Sequence, residues 1–285
     1  MFGERLDYVI LRGLAHRRNL ASEAELDARF RCVSVETYEA EMPKFRKLVE
    51  RFGGHLPIDG SKRYLDMGCG TGELTIAFAR AGVGHITGVD VLPRSIERAR
   101  AYAARLGVGE RTEFVCADLH AWKPAQRFDV LLSFDALEHI DEPKLFLRRM
   151  AEFVAPGGIA VLAFGPFFHS PFGDHMWDFF RVQLPWRQLL FSEATMLRVR
   201  REVFRPTDLG TGYRDIAEGL NRMRYSEFLR YVGETGWRVD YLATNTFLRR
   251  TPLLKAVSDA VMHVPGVRDY FAHNVYAVLQ RDEHG

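Results

Sequence analysis

Apolar positions along this chain change rhythm several times, and the changes mark its elements. Short, mostly apolar runs at residues 64–67, 85–89, Thr112–Cys116, Phe128–Phe134 and 159–164 read as strands. Phe128–Phe134 is broken only by Asp129 and Ser133, as expected of a central parallel strand buried on both faces. Between these runs, apolar residues recur every three or four positions, which predicts helices over 73–80, 95–106 and 145–153. Five strand–helix units in this order predict an α/β fold with a doubly wound parallel sheet. Downstream, 225–236 reads as an amphipathic helix opened by Ser226, 237–247 as a strand, 253–262 as a helix and 274–280 as a closing strand.

Two stretches stand apart from this alternation. Residues 1–55 read as an N-terminal helical segment of mixed charge. Ser22 and Glu25 have capping-box spacing for a helix through Arg31. A second helix is predicted over 37–52, from the spacing of Met42, Phe45, Leu48, Val49 and Phe52 before Gly53-Gly54. The other stretch, residues 165–224, is an insertion after the fifth strand of a main domain predicted over 56–285. An insertion of this length at that point is a candidate active-site cap or lid.

The first strand runs into Gly68, Gly70 and Gly72, and a helix opens at Glu73. Glycine tolerates positive φ and lets a ligand approach the backbone, and the amides of a helix start favour a negative group. The alternate spacing departs from the G-x-G-x-x-G dinucleotide pattern. By itself the turn indicates a nucleotide-like ligand or a tight turn with none. Asp90 ends the second strand near the distance at which an acid meets a ribose in nucleotide-binding βαβ units. It could also cap the helix that follows.

The alternating glycines, with Asp66 on the strand before them, resemble motif I of class I S-adenosylmethionine-dependent methyltransferases. The segment 128–140, Phe-Asp-Val-Leu-Leu-Ser-Phe-Asp-Ala-Leu-Glu-His-Ile, resembles the strand-4 motif of small-molecule and quinone-type members. Pro156-Gly157-Gly158 resembles their crossover into strand 5. The resemblance implies a seven-stranded, mostly parallel, Rossmann-like sheet whose last strand is antiparallel at the edge. It implies S-adenosylmethionine as cofactor and S-adenosylhomocysteine as product. The implied cofactor site comprises Asp66, Gly68, Gly70 and Gly72 at the methionine end and Asp90 with Val91 at the ribose. Ala117, Asp118 and Leu119 fall at the adenine, and Phe134 and Asp135 near the sulfonium. His139 is a candidate base, or one half of a Glu-His pair that orients the loop.

Within the insertion, His169, Asp174 and His175 are candidate catalytic groups, because imidazole is matched to proton transfer near neutral pH. Their spacing matches no recognised metal-ligand pattern, so no metal is expected. The aromatics Phe167, Phe168, Phe172, Trp177, Phe179, Phe180 and Trp186 suit an apolar or aromatic acceptor, or the core of the cap itself. The expected chemistry is in-line methyl transfer to oxygen or carbon of a small metabolite.

Composition narrows the alternatives. The chain has 285 residues and a net charge of +2, from 39 basic and 37 acidic residues, which offers no broad platform for nucleic acid. An RNA or protein methyltransferase would need a local basic face, for which Arg198, Arg200, Arg201, Arg205, Arg222 and Arg224 are the candidates. A non-catalytic cofactor-binding protein of the same fold is the third possibility. Cys32, Cys69 and Cys116 show no framework spacing, and no membrane span or signal peptide is visible, so a reduced, cytoplasmic protein is expected.

Overall fold

The computed structural model describes residues 2–16, 35–206, 208–216, 219–246 and 252–281. The helix expected from Ser22 to Arg31 lies outside the described residues. Seven strands form one sheet in the order β3-β2-β1-β4-β5-β7-β6. They are β1 (Arg63–Met67), β2 (His85–Asp90), β3 (Thr112–Cys116), β4 (Phe128–Phe134), β5 (Val154–Phe164), β6 (Trp237–Thr246) and β7 (Ala272–Arg281). β1 to β5 pair in parallel, and β7 runs antiparallel between β5 and β6. The doubly wound, mostly parallel sheet expected from the sequence is therefore the observed one, but the closing strand is not at the edge as expected: β7 lies between β5 and β6, and β6 takes the edge.

The period-two alternation of the strands sorts their side chains into two cores. Val130, Leu132 and Phe134 of β4, with Val161 and Ala163 of β5, face one side together with Phe45, Phe78 and Ile96. These come from α2 (Val35–Glu50), α3 (Glu73–Ala81) and α4 (Pro93–Arg105). Leu131 of β4, with Ala160, Leu162 and Phe164 of β5, faces the other side with Phe146, Met150, Phe228 and Val232. Those belong to α5 (Pro143–Phe153) and to the later helix Tyr225–Glu234. With both faces covered, the central strands are mostly apolar.

β5 begins five residues earlier than the sequence pattern suggests. Pro156-Gly157-Gly158 is carried within the strand, where its register against β4 shifts between Phe128/Val154 and Val130/Ile159. The helix Tyr225–Glu234 is not opened by Ser226: the Arg224 amide donates to Glu227 at 2.9 Å. Ser226 instead donates from its amide and hydroxyl to Asp269, at 2.8 and 2.7 Å.

Residues 165–224 carry two helices, α6 (Arg187–Leu190) and α7 (Glu193–Val203), so that Tyr225–Glu234 is α8 and Pro252–Met262 is α9. Ser192 caps α7, its hydroxyl accepting from the Thr195 amide at 3.3 Å. This region builds a third core from Phe168, Met176, Phe179, Phe180, Met196 and Tyr213. The first helix, α1 (Phe2–Leu14), joins it through Leu11, while α2 packs on the sheet through Phe45. The N-terminal segment is thus shared between two cores.

Candidate active site

The glycine turn is fixed by its neighbours before any ligand is considered. Gly68, Gly70 and Gly72 have φ of 78°, 52° and 82°. The amides of Gly68 and Cys69 donate to the Val89 carbonyl at 2.9 and 3.1 Å. Asp90 closes the corner, one carboxylate oxygen accepting from the Gly70 amide at 3.0 Å and the other from the Leu92 amide at 2.9 Å. An ionised carboxylate has about four acceptor positions, so about two remain for a ligand. Asp66 lies beneath the turn: it is buried and accepts from the Thr75 hydroxyl at 2.6 Å. Burial pushes its carboxyl up to about 6, against the pull of the Thr75 bond, with Asp90 and Glu73 adding to the rise.

Two of the glycines answer to different constraints. A Cβ on Gly72 would lie 2.8 Å from Ala99 Cβ and 2.9 Å from the Phe114 ring, whereas a Cβ on Gly70 would meet nothing within 4 Å. Gly72→Ala is therefore expected to lower stability by about 2–3 kcal/mol through overpacking and left-handed strain. Gly70→Ala should lower it by about 1 kcal/mol, from strain alone, yet weaken cofactor binding more than Gly72→Ala does. Thermal melts and calorimetry on both variants check this; equal losses in both readouts would contradict it.

The neighbouring strand ends extend the corner. The Ala117 amide donates to the Asp90 carbonyl at 3.0 Å, which draws the ends of β2 and β3 together. Asp118 is exposed, with one oxygen accepting from the His120 amide at 2.9 Å. Leu119 is half-buried and Val91 is 62% exposed. An apolar side chain left this open at a strand end is available to cover a flat ligand.

On the other side of the turn lies a cavity of about 590 Å³. Leu74 and Ala77 of α3, Phe134 and Asp135 at the end of β4, and Ala163 and Phe164 of β5 form its inner wall. Met42, Phe45 and Leu48 of α2 cover it, and Asn274 and Tyr276 of β7 close its far side. Phe134 is held edge-on to Phe52, with ring centroids 6.1 Å apart. Asp135 has φ of 48°, its amide donates to the Ala163 carbonyl at 2.7 Å, and its carboxyl is pushed up by desolvation while His139 pulls it down. Asp90, the glycines, Phe134 and Asp135 all stand at the carboxyl ends of β1, β2 and β4, where the crevice of open α/β sheets binds ligands, and Phe134 and Asp135 line the cavity.

The expected catalytic groups of the cap are not in that crevice. Asp174 is 1% exposed, and both its oxygens are bound by Arg187, with Nη2 at 2.9 Å from Oδ1. It is a buried structural anion and not an available base. His169 packs edge-on to Phe168 and Tyr270, with Nδ1 buried and without a partner. Burial, and then Arg224, lowers its pKa. His175 Nε2 pairs with the Pro166 carbonyl at 3.1 Å, and its ring meets His139 edge to face at 5.5 Å. His139 Nδ1 bonds the Gly219 carbonyl at 2.9 Å, which ties the strand-4 loop to the cap. None of these four residues lines the cavity. Cap burial and backbone bonding, not proton transfer, absorb their polar atoms.

Beside them, Glu138 is buried, with Oε1 accepting from the Gly165 amide at 2.9 Å and Oε2 without a partner. Burial raises its carboxyl to about 7, against the pull of His139 and of the Gly165 bond. A raised folded-state pKa means that the folded protein holds a proton the unfolded chain has released between about pH 4.3 and 7. This group's contribution to stability therefore declines as pH rises through that window and is level above it. Glu138→Gln removes that decline, so its melting temperature should gain on the wild type between pH 5 and 7.5. Parallel melting curves across that range would contradict the assignment.

Three of the six arginines named for a basic face are engaged by carboxylates. Arg200 is buried against Asp208 at 2.9 Å, Arg198 pairs with Glu202 at 3.0 Å over the Tyr8 ring, and Arg222 pairs with Glu193. Among the described residues, no group of three or more His, Cys, Asp or Glu side chains is placed to hold a metal, and no helix is long and apolar enough to cross a membrane.

Sequence reasoning missed Asn274, Tyr276 and the α2 cations. The signal for α2 was present in the helical spacing of Lys44, Lys47, Leu48 and Arg51, which now line one side of the cavity. β7 carried none, because an alternating strand does not reveal which of its ends reaches a ligand.

Residues 38–240 match the model of a family described as a methyltransferase domain. The chain is 34% identical over 126 residues to 27-O-demethylrifamycin SV methyltransferase of Amycolatopsis mediterranei, covering 44% of this chain and 46% of that protein. It thus spans less than half the length of that relative. Similarity to trans-aconitate 2-methyltransferase of Streptomyces coelicolor extends further, 31% over 235 residues, covering 79% of this chain and 70% of that one. Among solved structures, an S-adenosylmethionine-dependent methyltransferase from Mesorhizobium loti superposes with a TM-score of 0.52 at 19% identity, over 81% of this chain and 96% of the other.

Proposed function

This chain belongs to the methyltransferase domain family, and we propose that it transfers the methyl group of S-adenosylmethionine to oxygen or carbon of a small, apolar or aromatic metabolite. The observation that carries the reading is the carboxyl-end corner, where Asp90 accepts from the amide of an unobstructed Gly70, together with the apolar cavity lined by Phe134 and Asp135 at the end of β4. The names of the two relatives, which methylate rifamycin-type and aconitate acceptors, support a small molecule.

The residues present fit the cofactor. Asp90 has acceptor positions left for both ribose hydroxyls, and exposed Asp118 can take the adenine amino group, with Val91 and Leu119 covering the ring. Gly68, Gly70 and Gly72 admit the methionine end, and Asp66 holds the turn from beneath. The bound cofactor supplies an activated methyl group on a sulfonium. The chain therefore contributes alignment and exclusion of water, which the Met42, Phe45 and Phe134 walls provide. For a hydroxyl acceptor, Asp135 and Glu73 are the carboxyl groups on the wall able to take the proton. The contacts of His139 and His175 with Gly219 and Pro166 position the loop on which Asp135 stands.

Incubating the protein with methyl-tritiated S-adenosylmethionine and a fractionated metabolite extract tests the reading. Label should move into a small apolar product with stoichiometric formation of S-adenosylhomocysteine. Cofactor binding without transfer in any fraction would favour a non-catalytic binding protein instead. Pairing of Arg198, Arg200 and Arg222 with carboxylates weakens the basic face on which the RNA reading depends.

A further inference from the structure

We infer that Tyr276 selects an acceptor with a carbonyl at the end opposite its nucleophilic hydroxyl, the Tyr276 hydroxyl donating to that carbonyl oxygen. This rests on the methyltransferase reading and names its substrate class. In the sheet register Phe134 of β4 stands beside Ala163 of β5, and Ala163 beside Tyr276 of β7. All three line the cavity, so they form one row across it. Neighbouring strands are about 4.8 Å apart, which sets Phe134 and Tyr276 about 10 Å apart along that row. The small Ala163 between them leaves the middle open to a flat ligand.

The two ends of the row differ in chemistry. Asp135 follows Phe134 on the cavity wall, so a carboxyl able to receive a ligand hydroxyl stands at that end. At the other end the Tyr276 oxygen accepts from Arg51 Nη1 at 2.7 Å, with the guanidinium 5.0 Å from the ring centre. Accepting from a cation polarises the phenol and strengthens it as a donor. Among the described residues, no group accepts the Tyr276 hydroxyl proton. Lys44 and Lys47 also line the cavity but are exposed to solvent, and Asn274 can donate or accept and so fixes no polarity. The half-buried Tyr276 hydroxyl is therefore the donor that an apolar ligand meets.

Both ends are held by the same buried ring. Phe52 is completely buried and meets Phe134 and Tyr276 edge-on, with ring centroids 6.1 and 5.9 Å away. Arg51 is fixed in turn, its carbonyl accepting from the Tyr241 hydroxyl at 2.7 Å. A donor positioned in this way loses little freedom when a carbonyl arrives. Burying a carbonyl without a donor is costly, so the hydroxyl discriminates between a carbonyl compound and its deoxygenated analogue.

The test titrates matched pairs into protein saturated with S-adenosylhomocysteine: 4-hydroxyacetophenone against 4-ethylphenol, and 6-acetyl-2-naphthol against 6-ethyl-2-naphthol. The ethyl compounds are similar in size and more apolar, so burial alone favours them. In the wild type at least one ketone should nevertheless bind about fivefold or more tightly than its ethyl partner. In Tyr276→Phe, which keeps the ring, the ethyl compound should bind at least as tightly, while S-adenosylhomocysteine affinity stays within about twofold. Arg51→Met should weaken the ketone and leave the ethyl compound within about twofold, and Arg51→Lys should recover part of the loss. Ethyl compounds binding as well as ketones in the wild type, a ketone preference surviving Tyr276→Phe, or no ketone binding at all would overturn the inference. Equal weakening of both partners in Arg51→Met would overturn the positioning role of Arg51. A loss confined to S-adenosylhomocysteine affinity in Tyr276→Phe would also overturn the inference and assign the hydroxyl to the cofactor. Failure of S-adenosylhomocysteine to bind the wild type would instead remove the methyltransferase reading itself.

Discussion

Asp174→Ala lowers the melting temperature by about 10 °C, the largest effect expected of any single substitution outside the sheet. Arg187 is completely buried, and besides Asp174 it donates to the Met176 carbonyl and Gln183 Oε1, both at 3.0 Å. Its guanidinium lies 4.2 Å from the centre of the Phe180 ring. Removing the carboxylate leaves a charge in a space that water does not reach, which costs about 3–5 kcal/mol. At about 2–4 °C per kcal/mol for a chain of this size, that is the stated shift. Asp174→Leu combined with Arg187→Met removes both charges and should recover most of the loss. A melting temperature within about 2 °C of wild type for Asp174→Ala would restore Asp174 as a candidate for chemistry.

Asp90→Ala has the largest expected effect on binding. Its carboxylate does two jobs: it ties the Gly70 and Leu92 amides into the corner and offers its remaining acceptor positions to the ribose. Hydrogen bonds to a charged group contribute about 1.5–3 kcal/mol each, so losing two ribose contacts weakens S-adenosylhomocysteine by about 100-fold or more. Loss of the amide contacts lowers stability as well, by about 1–2 kcal/mol. Asp90→Asn keeps one acceptor for the amides and should fall between the two in both measurements. Unchanged affinity in Asp90→Ala would remove the residue from the cofactor site.

The parts of the fold that were legible share a physical cause. β1, β2 and β4 are largely buried, and β1 to β4 are punctuated by glycines or acids at or just past their carboxyl ends, so hydropathy and spacing mark both the element and its position in the crevice. The cap is different, because its polar groups find partners far away in sequence. Asp174 is taken by a residue thirteen positions on, and His139 by a carbonyl eighty positions on. No local pattern announces either pairing, and both residues read as available chemistry until the chain is folded. The amphipathic helices show the same gap. α1 and α2 each present an apolar face, but the pattern does not say that Leu11 joins the cap while Phe45 joins the sheet. The arginines of α7 likewise read as a surface until Asp208 and Glu202 are placed against them.

The central claim is that the corner of Gly68, Gly70, Gly72 and Asp90 holds an adenosyl cofactor. Calorimetric titration of the wild-type protein with S-adenosylhomocysteine tests it most directly. One saturable site per chain with micromolar or tighter affinity, weakened about 100-fold in Asp90→Ala, is the predicted result. No saturable heat in the wild type at millimolar ligand would contradict it.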